Sequence, residues 1–98
     1  MAYIRKGQGP WSEILYYIDD DGYIREGQGP WNPIVAHIDG QYIREGQDPW
    51  GDILYNIDGK YIREGQGPWG TILYNIDDDG YIREGQDPWG TIVAHIDD

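Results

Sequence analysis

The stretch YIREGQDPWGDILYNIDG, residues 42–59, contains every kind of segment found in this chain. Tyr42–Glu45 and Ile53–Ile57 are short runs rich in β-branched and aromatic residues, bounded by Gly, Pro and Asp, which is how strands are written. Both are too short for helices, and the Gly-Gln-Asp-Pro-Trp segment between them would break one. Asp58-Gly59 ends the stretch as a tight hairpin turn, because Gly supplies the positive φ such turns require. One hairpin is not stable alone in water, so the unit depends on neighbours.

Those neighbours are further copies of itself. Tyr3, Tyr23, Tyr42, Tyr61 and Tyr81 open five tandem repeats (3–22, 23–41, 42–60, 61–80 and 81–98) that make up a single repeat domain. The second strands read ILYYIDDDG, IVAHIDG, ILYNIDG, ILYNIDDDG and IVAHIDD, an order A, B, C, A, B with a super-period of three repeats. A sixth, C-type copy would complete the pattern. The DDDG versions at 19–22 and 77–80 are one residue longer and need a wider turn or a bulge.

The expected fold is all-β: 19–20-residue hairpin repeats in a propeller-like ring or closed assembly, with a β-solenoid as the alternative. Simple alternation puts Ile53, Tyr55 and Ile57 on one face and Leu54 and Asn56 on the other. Likewise, Ile34, Ala36 and Ile38 oppose Val35 and His37. Both faces are partly apolar, so both are expected to be covered.

Eighteen acidic against seven basic residues give a formal charge of −11, which excludes a phosphate-binding surface and disfavours an anionic membrane. Nucleic acid and membrane are therefore not expected partners. Without cysteine there is no disulfide framework. No apolar run approaches the roughly 18–20 residues of a membrane span, and the chain reads as soluble and cytoplasmic. Five Trp and nine Tyr with no Phe suit half-buried rings whose polar edge finds a partner.

No residue set announces chemistry. Aligning DDDGYIRE on a calcium loop with Gly22 at position six puts Tyr17 at position one and Gln28 at position twelve, where a bidentate Glu is needed, so an acidic turn is the preferred reading. His37 and His95, the only histidines, are a sparse ligand set for zinc, and strand histidines on the less apolar face are preferred. Ser12 and Thr71 have no histidine in their own repeats, Thr91 shares its repeat only with the strand residue His95, and GQGPWG lacks the Lys-Ser/Thr of a phosphate loop. No enzyme activity, cofactor or metal is expected. The five arginines Arg5, Arg25, Arg44, Arg63 and Arg83 are expected to pair with the Asp of a neighbouring Ile-Asp rather than to form a ring of anion sites.

The loop is the remaining candidate site. Trp11, Trp31, Trp50, Trp69 and Trp89, with Gln8, Gln28, Gln47, Gln66 and Gln86, form a repeated aromatic-plus-amide surface suited to stacking on sugars or a quaternary ammonium. Read structurally, each Trp is instead a wedge packed between repeats, and this is the preferred role. Trp50-Gly51, Tyr55 and Asp58-Gly59, and again Trp69-Gly70, Tyr74 and Asp79-Gly80, resemble the hairpin repeats of bacterial choline- and cell-wall-binding modules. The chain departs from those modules in the Pro before each Trp, in the Tyr-Ile-Arg, and in having its only strand aromatic pair at Tyr16-Tyr17. The resemblance implies a carbohydrate or choline ligand.

Copies this alike suit a designed or consensus-derived sequence, in which an idealised unit meets the same neighbour each time. Two functions follow. One is a non-catalytic scaffold that self-associates into a homo-oligomer through unpaired repeat ends. The other is a multivalent carbohydrate or cell-wall binding module using the Trp loops.

Overall fold

In the computed structural model, which describes residues 2–98, ten antiparallel strands form one closed barrel. The odd strands are β1 (Ala2–Lys6), β3 (Tyr23–Glu26), β5 (Tyr42–Glu45), β7 (Tyr61–Glu64) and β9 (Tyr81–Glu84). The even strands are β2 (Ile14–Ile18), β4 (Ile34–Asp39), β6 (Ile53–Asp58), β8 (Ile72–Ile76) and β10 (Ile92–Asp97). Each strand pairs with its sequence neighbours, and β10 closes the ring on β1. The closed-ring expectation holds, and the solenoid alternative does not. Five hairpins close as they stand, in a disc of 35 × 35 × 15 Å.

Two kinds of connection alternate round the ring. Even strands pass to odd ones by tight turns. At Gly40-Gln41 and Gly59-Lys60 the first residue has φ near 60°, the pattern of a type II′ hairpin, whose twist matches that of the strands. The longer DDDG turns close with the Gly22 N–H donating to the Asp19 carbonyl and Gly80 N–H to that of Asp77. Odd strands pass to even ones through the Trp loops. These begin at Gly7, Gly27, Gly46, Gly65 and Gly85, all at positive φ, which swing the chain out of the sheet.

Register explains where each face points. Ile4 pairs directly with Ile96 at the β1–β10 seam, and Ile24, Ile43, Ile62 and Ile82 with Ile18, Ile38, Ile57 and Ile76 at the tight-turn junctions; all ten line the barrel interior. On the Trp-loop side every odd–even pair carries a register shift, such as that between Ile43 and Arg44. This bulge overturns simple alternation. Ile53 pairs with Arg44 on the outer wall while Leu54 joins Tyr55 and Ile57 inside. Val35 is likewise inside with Ala36 and Ile38, whereas Ile34 pairs with Arg25 on the outer wall.

Ten strands make a barrel too wide for one layer of side chains to fill. The interior is a cavity of about 720 Å³. Among the described residues no Ile, Leu or Val is fully buried. The buried side chains are Tyr17, Ala36 and Ala94, with the polar His37, Asn56 and Asn75. Coverage is thus one-sided: the outer wall lies under loops, and the apolar inner wall faces open space.

Candidate functional site

The Trp loops are short turns held by three sets of hydrogen bonds. In Asp48-Pro49-Trp50-Gly51 the Gly51 N–H donates to the Asp48 carbonyl at 2.8 Å and the Trp50 N–H to Asp48 Oδ1 at 3.0 Å. Asp at the first position, Pro at the second and Gly at the fourth are the residues a type I turn selects. A Cβ at Gly51 would collide with the Glu45 carbonyl oxygen, so a side chain at this place requires a local shift of the backbone. In the second repeat Asn32 takes this place, and its Nδ2 donates to the Glu26 carbonyl.

The second set ties four of the five loops to the neighbouring hairpin. Asn56 Nδ2 donates to the carbonyls of Gly65 and Gly67 at 2.9 and 3.2 Å, and Asn75 Nδ2 to those of Gly85 and Asp87 at 2.9 and 3.1 Å. His37 Nδ1 lies 2.7 Å from the Gly46 carbonyl, and His95 Nδ1 the same distance from that of Gly7. A carbonyl only accepts, so Nδ1 carries the proton in both rings. The Tyr23 and Tyr81 rings meet these imidazoles edge-on. The histidines are therefore strand residues of the outer wall, each clamping a loop backbone. The same strand position, filled by His, Asn, Asn and His at 37, 56, 75 and 95, folds four of the five loops back over a neighbour's outer wall; Tyr17 holds this position in the first repeat.

The third set comes from the arginines. Arg44 Nη1 donates to the Gly51 carbonyl at 2.9 Å while its Nε meets Asp39 Oδ2 at 2.8 Å. Arg5, Arg25, Arg63 and Arg83 do the same with Asp97, Asp19, Asp58 and Asp77. The expected pairing with the Asp of a neighbouring Ile-Asp is what the fold uses. In the DDDG turns Asp19 Oδ1 also accepts the N–H groups of Asp21 and Tyr23. Burial opposes ionisation of Asp19 and Asp77. The backbone N–H groups of Tyr23 and Asp21, or Tyr81 and Asp79, together with the arginine, outweigh it and hold both carboxyls below the usual range. These carboxylates are committed to their own turns, as the acidic-turn reading expects.

Held in this way, the loops project their indoles outward. Trp11, Trp31, Trp50, Trp69 and Trp89 are 86 to 93% exposed, so they are not wedges between repeats. The wedge role fails because the loop packs through its backbone, leaving the ring at the turn apex with nothing above it. Gln8, Gln28, Gln47, Gln66 and Gln86 are exposed on the same loops. Where the first loop leans over β10, Gln8 and Pro10 line a cleft of about 300 Å³ with Tyr81, His95 and Asp97.

A feature that the loop-centred reading missed lies on the inner wall. Glu26, Glu64 and Glu84 pair directly with the inward residues Tyr16, Tyr55 and Tyr74, and Glu45 pairs with Ala36. Directly paired residues share a face of the sheet, so four exposed carboxylates stand on the inner face above the apolar cavity. At the fifth place Lys6 pairs with Ala94. Alternation from the inward Ile of Tyr-Ile-Arg-Glu would have shown this from the sequence.

The family model described as "6-fold beta flower protein" matches residues 3–98, and the chain belongs to that family. No curated protein and no solved structure matches it. The resemblance to choline- and cell-wall-binding hairpin repeats thus has no counterpart among these matches.

Proposed function

We propose that this β-flower chain is a non-catalytic scaffold whose closed ring presents five tryptophan loops as a multivalent carbohydrate-binding rim. The observation that carries the reading is the exposure of all five indoles on loops pinned by hydrogen bonds. An indole held in place stacks on the C–H face of a sugar with little ordering cost, and repetition adds avidity. The neighbouring exposed glutamines supply amide donors and acceptors for hydroxyl groups. The near-identity of the copies supports a designed or consensus-derived sequence.

Association between copies of the chain is the second reading. Unpaired strand edges do not drive it, since β1 and β10 pair with each other. The exposed indoles remain as the adhesive surface. Intrinsic fluorescence against soluble glycans, with retention on insoluble polysaccharides, tests the first reading. A blue shift lost in a variant with all five Trp replaced by Ala, its circular dichroism unchanged, is the expected result. No shift or retention across the panel, with a mass above 11 kDa by light scattering, would favour association instead.

A further inference from the structure

The central cavity is a second candidate site, independent of the Trp loops. Its wall is apolar almost throughout, and a cavity of about 720 Å³ falls within the roughly 300–1,000 Å³ of small-molecule sites. Water has few partners on such a wall. Tyr16 is 40% exposed and Leu54 36%, although both face inward. A chain of 98 residues has little core to spare, and here the aliphatic surface remains half open. An aliphatic occupant would remove that surface from water.

The level above the isoleucines sets the charge of such an occupant. Glu26, Glu45, Glu64 and Glu84 share the inner face with Tyr16, Tyr55 and Tyr74, and Lys6 is the one basic residue in that ring of five positions. Carboxylates beside tyrosine rings complement a cationic head, through ion pairing and the π face together. The same ring repels an anionic head, as does the overall charge of −11. We infer that the barrel binds a single-chain cationic amphiphile, with its aliphatic tail among the ten isoleucines and its ammonium head at the tyrosine–glutamate level.

Decyltrimethylammonium, kept below its micelle concentration, is titrated into protein labelled at the Ile methyl groups. Decanoate and decyl maltoside serve as tail-matched anionic and uncharged comparisons. The expected result is saturable shifts at the methyls of Ile24, Ile43 and Ile62, with the cation bound about tenfold or more tighter than decanoate, because like-charge juxtaposition is costly. Replacing Glu26, Glu64 and Glu84 together by Gln should weaken cation binding roughly three- to tenfold and leave decyl maltoside unchanged. These side chains are exposed, so the variant should fold. Asp78→Asn, on an outer turn, removes a charge away from the cavity and should change nothing. Equal binding of decanoate and the cation would overturn the inference. So would shifts confined to Trp indoles, or glutamate variants that behave like Asp78→Asn.

Discussion

Two junctions of the ring, β4 with β5 and β10 with β1, have the same register and differ in one covalent respect. At the first, Asp39, Ile38, His37 and Ala36 face Tyr42, Ile43, Arg44 and Glu45. At the second, Asp97, Ile96, His95 and Ala94 face Tyr3, Ile4, Arg5 and Lys6. The first is joined by Gly40-Gln41, and the second by no covalent link. Yet the arginine–aspartate distance is 2.8 Å in one and 2.7 Å in the other, and the histidine clamp is 2.7 Å in both. Register is therefore set by side chains and ladder, while the tight turn lowers the entropy cost of bringing the strands together.

The strongest way to break this equivalence is to delete residues 1–6. That leaves β2 and β10 as open edges on an apolar inner wall, and loss of cooperative thermal unfolding with aggregation on sizing is the expected outcome. A permuted chain, cut between Gly40 and Gln41 with a turn joining Asp98 to Tyr3, should instead unfold cooperatively, since it only exchanges seam and junction. Failure of the permuted chain to fold would mean that the turn carries register after all.

Next in size are the loop clamps. Asn75→Ala strands two loop carbonyls against the outer wall and should cost about 1–3 kcal/mol in chemical denaturation. His95→Ala at the seam and His37→Ala at the covalent junction should fall together at or below that value. A seam value far above its junction counterpart would separate the two sites.

The ion pairs are a finer probe. Arg5→Ala and Arg44→Ala each lose a half-exposed pair and one bond to a loop carbonyl, so about 1 kcal/mol is expected of either. Hydrogen exchange should sharpen the contrast, with Arg5→Ala speeding β1 and β10 amides and Arg44→Ala affecting β4 and β5 less.

The smallest effect is acid sensitivity. Asp19 and Asp77 titrate below their unfolded value, so the stability they contribute is present above about pH 4 and fades as pH falls through the folded pKa. Asp77→Asn keeps an acceptor for the turn N–H groups but loses the charge facing Arg83. Its melting temperature should therefore fall less steeply between pH 4 and pH 2 than that of the parent. An unchanged slope would remove Asp77 from the acid response.

Much of this fold is legible in the sequence because local chemistry and neighbour contacts repeat together. Tyr-Ile-Arg-Glu marks a strand, Asp-Gly a turn, and the five arginines find the five Ile-Asp carboxylates. The bulge is not legible from alternation alone, because Leu54 turns inward only through the register of β6 on β5. Exposure of the tryptophans was hidden for a related reason. Pro-Trp-Gly looks like a packing unit until Asn56 and His37 are seen to hold the loop by its backbone. The number of hairpins at closure depends on curvature summed over every junction, which no single repeat encodes.

The unjoined seam has a consequence at the level of the gene. Cutting this ring at any two tight turns releases whole petals and leaves ends that carry complementary halves of one interface. An in-frame gain or loss of a 19–20-residue unit therefore strands no arginine, clamp or ladder edge and changes only how sharply each petal must bend. Petal number is a matter of copy number, and five petals in a family described as six-fold is the kind of variation such an interface permits.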